Sequence, residues 1–337
     1  MNIKPKPRKD EETISYKLGD TVTVEVDAQY YFGGPVADAE VEYIIYQNEY
    51  YHIYYPPRQY GWYYEDIYRK NYYRGNGQLI KQARIKTDTE GKSLFTFDTP
   101  EKSPNDLRYH IEVRVVDQSR REIRAAGDIK VTRTSYFAFL TPKHNLYRPG
   151  DKAEIEIKTL NANDEPVVAD GKITVTRNWW KEPVLEGDKI TRPAGYDTNE
   201  LFTRFVKTNV RGEAVFEFQP ERDGYYVIDF TGFDSGGIEV KAQTNVFVCE
   251  KQSKEIGYRY GGLQIIADKD TYSVGEIASV MLVSDRPDTW VLFTTEAEEI
   301  YTYELMHLEG PVKLLQVPVI DSFEPNVFFT ASSVDNY

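Results

Sequence analysis

The sequence predicts an all-β fold: three tandem antiparallel β-sandwiches of the immunoglobulin or fibronectin-III type. Three observations predict it. A short motif recurs as Tyr16-Lys-Leu-Gly-Asp20 before TVTVEV, Tyr147-Arg-Pro-Gly-Asp151 before KAEIEI, and Tyr272-Ser-Val-Gly-Glu276 before IASVML. The copies lie 131 and 125 residues apart, too far for a solenoid, whose repeats run at roughly 20–50 residues, so each copy marks a domain. Strict apolar/polar alternation follows the first two copies, and no stretch carries the period of a long amphipathic helix.

Each motif reads as a turn feeding a strand. The Gly supplies a positive φ, the acid closes the turn, and alternation then puts Val22, Val24 and Val26, or Ala153, Ile155 and Ile157, on one face. The first two copies stay in step further on. Gly34-Pro-Val-Ala-Asp38 is echoed by Asp164-Glu-Pro-Val167, Thr87-Asp-Thr-Glu-Gly91 by Thr208-Asn-Val-Arg-Gly212, and Asp106-Leu-Arg-Tyr109 by Asp223-Gly-Tyr-Tyr226. About seven short strands joined by Gly, Pro, Asn and Asp turns per copy is the pattern of a sandwich. The third copy is shorter, with strands expected at IASVMLVS, TWVLFTTE, EIYTYELMHLEG, PVKLLQVPV and NVFFTASSV. TEAEEIYTYELM has helix-compatible acids, but its β-branched and tyrosine content assigns it to strand. The expected domains are 13–134, 135–252 and 258–337. Residues 1–12 are expected to be disordered or foreign to the natural protein, and the polar, Gly-rich stretch around 250–262 to be a linker.

The chain has 337 residues, enough for two or three domains. Its 41 Lys and Arg against 54 Asp and Glu give a formal charge of −13 without an acidic tail, which argues against nucleic acid as a partner. Twenty-seven tyrosines against three methionines and one cysteine suit strand surfaces better than helix bundles. No apolar run approaches the ~20 residues of a membrane span. MNIKPKPRKDEET has positive charge but no apolar stretch behind it, so no secretory signal is expected here, and an exported protein would carry its signal upstream.

Candidate chemistry is sparse. Cys249 and Gln252 have the i, i+3 spacing of an internal thioester, but Glu250-Lys251 stand between them and Cys249 ends a strand, where a small thiol packs against a core. FDSGG at 233–237 resembles half of an aspartic-protease site; a second Asp loop is missing, so Asp234 reads as a turn residue. Asp268 and Asp270 open like a calcium loop, yet Ser273 and Ser279 occupy its Gly and Glu positions. His52, His110, His144 and His307 have no zinc spacing. With no nucleophile elbow or phosphate loop either, we expect no enzyme, no catalytic residue, no cofactor and no metal.

The unusual stretch is YIIYQNEYYHIYYPPRQYGWYYEDIYRKNYY, residues 43–73, with twelve tyrosines and Trp62. It leaves the same strand end as Asn178-Trp179-Trp180-Lys181 in the second repeat. Rigid amphipathic rings suit a contact surface, so Tyr54, Tyr55, Tyr60, Trp62, Tyr63, Tyr64, Trp179 and Trp180 are the candidate interaction residues. The competing reading is a hairpin whose aromatics pack on each other or on a neighbouring domain of the same polypeptide.

These motifs resemble the macroglobulin-like domains of bacterial α2-macroglobulins. The resemblance is carried by Tyr147-Arg-Pro-Gly-Asp151, by Tyr30-Tyr-Phe-Gly-Gly-Pro-Val36 with Ala39 before VEY, by Asp268-Lys-Asp-Thr-Tyr272 with Gly275-Glu276, and by Val291-Leu-Phe through Pro325-Asn-Val-Phe-Phe-Thr-Ala331. It covers nearly all of residues 13–337. The resemblance implies a scaffold fragment of an extracytoplasmic, broad-range endopeptidase inhibitor, whose partners are the other domains of its full-length chain and, through that chain, target proteases. The family's bait segment and thioester find no counterpart among these residues. The alternative is an exported adhesive or carbohydrate-binding array using the tyrosine-rich flap.

Overall fold

The computed structural model describes residues 1–5, 15–57, 59–60, 77–187, 189–286 and 288–333, and among these no α-helix occurs. The first repeat contains β1 (Asn2–Pro5), β2 (Tyr16–Lys17), β3 (Thr21–Asp27), β4 (Glu40–Tyr50), β5 (Gln78–Lys86), β6 (Lys92–Asp98), β7 (Asp106–Val116) and β8 (Glu122–Thr132). The second contains β9 (Phe137–Pro142), β10 (Leu146–Tyr147), β11 (Ala153–Leu160), β12 (Asp170–Lys181), β13 (Val184–Glu186), β14 (Lys189–Arg192), β15 (Gly195–Lys207), β16 (Glu213–Phe218), β17 (Gly224–Phe233) and β18 (Glu239–Val248). The third contains β19 (Leu263–Ala267), β20 (Ile277–Ser284), β21 (Thr289–Glu296), β22 (Ile300–Leu308), β23 (Val312–Pro318) and β24 (Phe328–Ser333), with a 3-10 turn at Asp321–Phe323.

The first two repeats share a plan. A three-stranded sheet, β1-β3-β6 or β9-β11-β16, accompanies a five-stranded one, β2-β8-β7-β4-β5 or β10-β18-β17-β12-β15. In the third, β19-β20-β23 accompanies β22-β21-β24. TEAEEIYTYELM falls in the β21–β22 hairpin, as its tyrosines and β-branched residues require.

The chain divides into two compact units. The first comprises Met1–Phe137 with the turns Leu160–Val167 and Phe233–Val240. Its core follows from alternation: Val22, Val24 and Val26 of β3 and Phe95 and Phe97 of β6 meet Val41, Tyr43 and Ile45 of β4 and Ile111, Val113 and Val115 of β7. Tyr43 stacks on Phe95 at 3.8 Å between ring centroids. Burying each aliphatic side chain contributes about 1.5–3 kcal/mol, and an offset of one residue would turn the whole set to water. One expectation is corrected here. Residues 2–5 are not disordered but form β1, paired with β3 from Asn2↔Asp27 to Pro5↔Val24, because Ile3 supplies an apolar side chain that packs on this core.

The second unit comprises Ala138–Thr159, Val168–Gly232 and Lys241–Tyr337. Ile155 and Ile157 of β11 and Phe216 and Phe218 of β16 are buried, as are Ile173 and Val175 of β12 and Tyr226, Ile228 and Phe230 of β17. Ala278, Val280 and Leu282 of β20 pack against Val291 and Phe293 of β21 and Met306 and Leu308 of β22. The opposite face of β20 is covered too: Met281 and Val283 join Leu146, Phe247, Cys249, Ile256, Ile266, Val312 and Leu314 in a separate apolar cluster. Residues 250–262, polar enough to read as a linker, are therefore partly a packed joint, with Ile256 only 2% exposed. Gly257, at φ +72°, passes so close to β12 that a Cβ there would lie 2.3 Å from the Asn178 carbonyl oxygen.

Candidate functional site

The recurring motif builds the same turn three times. The backbone N–H of Lys17, Arg148 and Ser273 donates to the side chain of Asp20, Asp151 and Glu276 at 2.6, 2.7 and 2.7 Å. The acid's own N–H returns to the carbonyl of the same residue at 3.1, 3.0 and 3.1 Å. Gly19, Gly150 and Gly275 hold φ at +87°, +87° and +90°, where a Cβ is disfavoured. Tyr16 and Tyr147 then donate from their hydroxyls to the carbonyls of Thr23 and Glu154, at 3.5 and 3.4 Å. Tyr272 turns instead to Asp268 Oδ1 at 2.5 Å, and the same oxygen accepts the Ser279 N–H at 3.0 Å. Asp268 is thus engaged in fixing the turn; among the described residues no group of three or more metal-ligating side chains assembles there or elsewhere.

Within the first unit, two turns are clasped by polar groups. The Lys17 ammonium lies 2.7 Å from Asp234 Oδ2, and the Asp234 side chain is inaccessible to solvent. Three backbone N–H groups, from Ser135, Gly236 and Ile238, also donate to this carboxylate at 3.0, 2.8 and 3.0 Å. Burial would raise its pKa; Lys17 and those N–H groups outweigh burial and hold it at about 2. At the other turn Lys130 donates to the Ala162 carbonyl at 2.6 Å, and His52 lies 3.3 Å from Asp164 while stacking on Phe137 at 4.7 Å. Burial lowers the His52 pKa against the pull of Asp164.

In the second unit, Cys249 is a free, fully buried thiol. Burial pushes its pKa up to about 12, the opposite of an activated nucleophile. Its N–H donates to the Tyr147 carbonyl at 3.0 Å, extending the parallel β10–β18 pairing. The Gln252 amide, which a thioester would need at the sulfur, donates to Glu250 Oε2 at 2.7 Å. A cavity of about 220 Å³ adjoins Cys249, Tyr147, Arg148, Asp151 and Asp268, room for several waters.

The predicted interaction residues divide. Tyr55 and Tyr60 are exposed and Tyr54 is half-buried; Trp62, Tyr63 and Tyr64 lie outside the described residues. Trp179 and Trp180 are half-buried. Arg259 sits 4.6 Å above the Trp180 ring, which also meets Tyr196 edge-on at 5.0 Å, so that ring is engaged within the chain. His110 and His307, both half-buried, sit 2.7 and 2.8 Å from the exposed Asp128 and Asp288. Sequence reasoning missed Lys17, Lys130 and Asp164 as clasp residues.

Repeated leading turns and paired sheets make the described residues a tandem array of β-sheet repeats. No family model matches the chain. It is similar to the Alpha-2-macroglobulin of Ralstonia nicotianae, 21% identical over 265 residues, covering 76% of this chain. The chain spans about 15% of that relative's length. Among solved structures it is similar to Escherichia coli alpha-2-macroglobulin in its native conformation (11% identity, 99% of this chain and 22% of that one, TM-score 0.35). It is likewise similar to Salmonella alpha-2-macroglobulin reacted with methylamine (11% identity, 97% and 21%, TM-score 0.37). The chain thus resembles alpha-2-macroglobulins, as its turn motifs indicate; the sheet arrangement rests on its own geometry.

Proposed function

We propose that this chain is a scaffold segment of an extracytoplasmic, bacterial α2-macroglobulin-like broad-range endopeptidase inhibitor. Its tandem sandwiches, at 13–134, 135–252 and 258–337, hold geometry in a longer polypeptide, and its residues perform no chemistry. The supporting observation is the leading turn, built three times with matching hydrogen bonds, together with the curated relative of that name. Its partners are the other domains of the full-length protein and, through them, target proteases. The exposed aromatics Tyr55 and Tyr60 then serve as packing surface for a neighbouring domain.

The test uses the full-length protein and one endopeptidase with two substrates, casein and a short chromogenic peptide. A trap suppresses casein hydrolysis while the small substrate is still cut. Equal hydrolysis of casein with and without the protein would sink the reading.

A further inference from the structure

The outward face of the β22-β21-β24 sheet in the second unit is apolar where a solvated face would be polar. Val291 and Phe293 of β21 lie in the core, so alternation turns Trp290, Leu292, Thr294 and Glu296 the other way. The pairing register sets Leu305 opposite Leu292, Tyr303 opposite Thr294, and Ile300 and Phe328 on either side of Glu296. Trp290, Leu292, Ile300, Tyr303, Leu305 and Phe328 are all exposed, Tyr303 at 78%. Single exposed apolar residues are ordinary, whereas a set in adjacent cross-strand positions marks a contact surface. A solvated sheet face of the first unit looks different: there the outward Glu42 of β4 and Arg114 of β7 form an ion pair at 3.3 Å.

Glu296 places a carboxylate among these apolar side chains. Its Oε1 accepts from the Thr330 hydroxyl at 2.7 Å and its Oε2 from the Thr294 hydroxyl at 3.1 Å. Among the described residues its bonding partners are these two hydroxyls, which fix its direction without neutralising it. Residues 289–308 and β24 contain no Lys or Arg. Lys313, at the Trp290 end of the sheet, donates instead to the His307 carbonyl at 3.3 Å. Glu298 and Glu299, exposed in the adjoining turn, add negative charge. Each Glu296 oxygen keeps a lone pair for a further donor.

We propose that this face binds a separate polypeptide through an arginine flanked by bulky apolar residues. A guanidinium fork spans both Glu296 oxygens while its plane lies against the Phe328 and Tyr303 rings, a match that the point charge of a lysine lacks. A second copy of this chain is disfavoured, because a symmetric contact would set Glu296, Glu298 and Glu299 against like charges. A permanent cover from the same polypeptide is disfavoured too. The chain's own joint buries Leu146, Phe247, Met281 and Val283 against one another, whereas a carboxylate kept within the contact face suits a reversible interface. The inference is independent of the protease-inhibitor reading.

The probe is a biotinylated Gly-Leu-Arg-Phe-Gly peptide on a streptavidin surface, over which the whole chain is passed. Retention should weaken at least about tenfold when citrulline, a neutral urea, replaces the peptide's arginine, and by as much in Glu296→Gln. Leu305→Asp should abolish it, and Glu186→Gln, which changes an exposed acid on the β13–β14 hairpin, should leave it unchanged. The citrulline comparison uses the unaltered chain, so it stands whether or not a variant folds. Equal retention by the two peptides, no retention by either, or an equal loss in Glu186→Gln would overturn the proposal. So would retention of the chain but not of the full-length protein, which would give the face to a neighbouring domain. A dimer of the chain that Leu305→Asp dissociates would also overturn it, by giving the face to a second copy.

Discussion

The ammonium of Lys17 lies 2.7 Å from a carboxylate 217 residues away, that of Asp234. This pair pins the 233–240 turn within the first compact unit. The Asp234 pKa of about 2 lies below its ordinary 3.8. A carboxyl depressed on folding stabilises above its unfolded pKa and loses that contribution as pH falls through its folded one.

Lys17→Ala should therefore destabilise the protein by about 2 kcal/mol at pH 7, less than a fully buried pair would lose because Lys17 is partly solvated. Asp234→Ala should cost about 3 kcal/mol, since three N–H groups lose their acceptor. Urea denaturation at several pH values checks both. The difference between wild type and Lys17→Ala should shrink between about pH 4 and pH 2; a difference constant with pH would contradict the pairing.

Two glycine substitutions separate backbone strain from collision. At Gly150, φ is +87° and an added Cβ meets nothing within 4 Å, so Gly150→Ala should cost only the left-handed penalty, about 1 kcal/mol. At Gly212 a Cβ would lie 2.2 Å from the Thr159 carbonyl oxygen, and that oxygen belongs to backbone that cannot swing aside. Gly212→Ala should cost at least about 3 kcal/mol. Thermal melts of the two variants give the ranking.

Cys249 should behave as a core residue. With its pKa pushed up to about 12 and no exposed surface, it should resist iodoacetamide in the native chain and react once the chain is unfolded. Cys249→Ser should lower stability by about 1 kcal/mol, the cost of a hydroxyl in apolar surroundings. Methylamine should leave the intact mass of this chain unchanged; a mass increase would reveal an acylated sulfur.

The strands and leading turns were legible because their determinants are local. Arg148 N–H reaches Asp151 across three residues, and Val22, Val24 and Val26 share a face by period alone. The clasp was not, because nothing near Lys17 in sequence announces Asp234. Residues 250–262 misled for a related reason: their composition is polar, yet Ile256, with Tyr258 packed beside it, anchors them in the apolar cluster with Met281 and Val283. The continuous apolar run Val280-Met-Leu-Val283 was the available signal, since a strand buried on both faces loses its alternation. Similarly, Trp180 is the residue type of a contact surface, and nothing near it in sequence announces Arg259 above its ring.

A scaffold that holds geometry needs a joint that does not open by itself, so the most direct measurement is native-state hydrogen exchange of the whole chain in increasing urea. If the cluster joining Leu146, Phe247 and Cys249 to Met281 and Val283 fuses the second and third sandwiches, amides of β17 and β20 should open with one common free energy and one urea dependence. If β20 opens at low urea while β17 stays closed, the two are separate beads on a flexible tether, and the scaffold account fails.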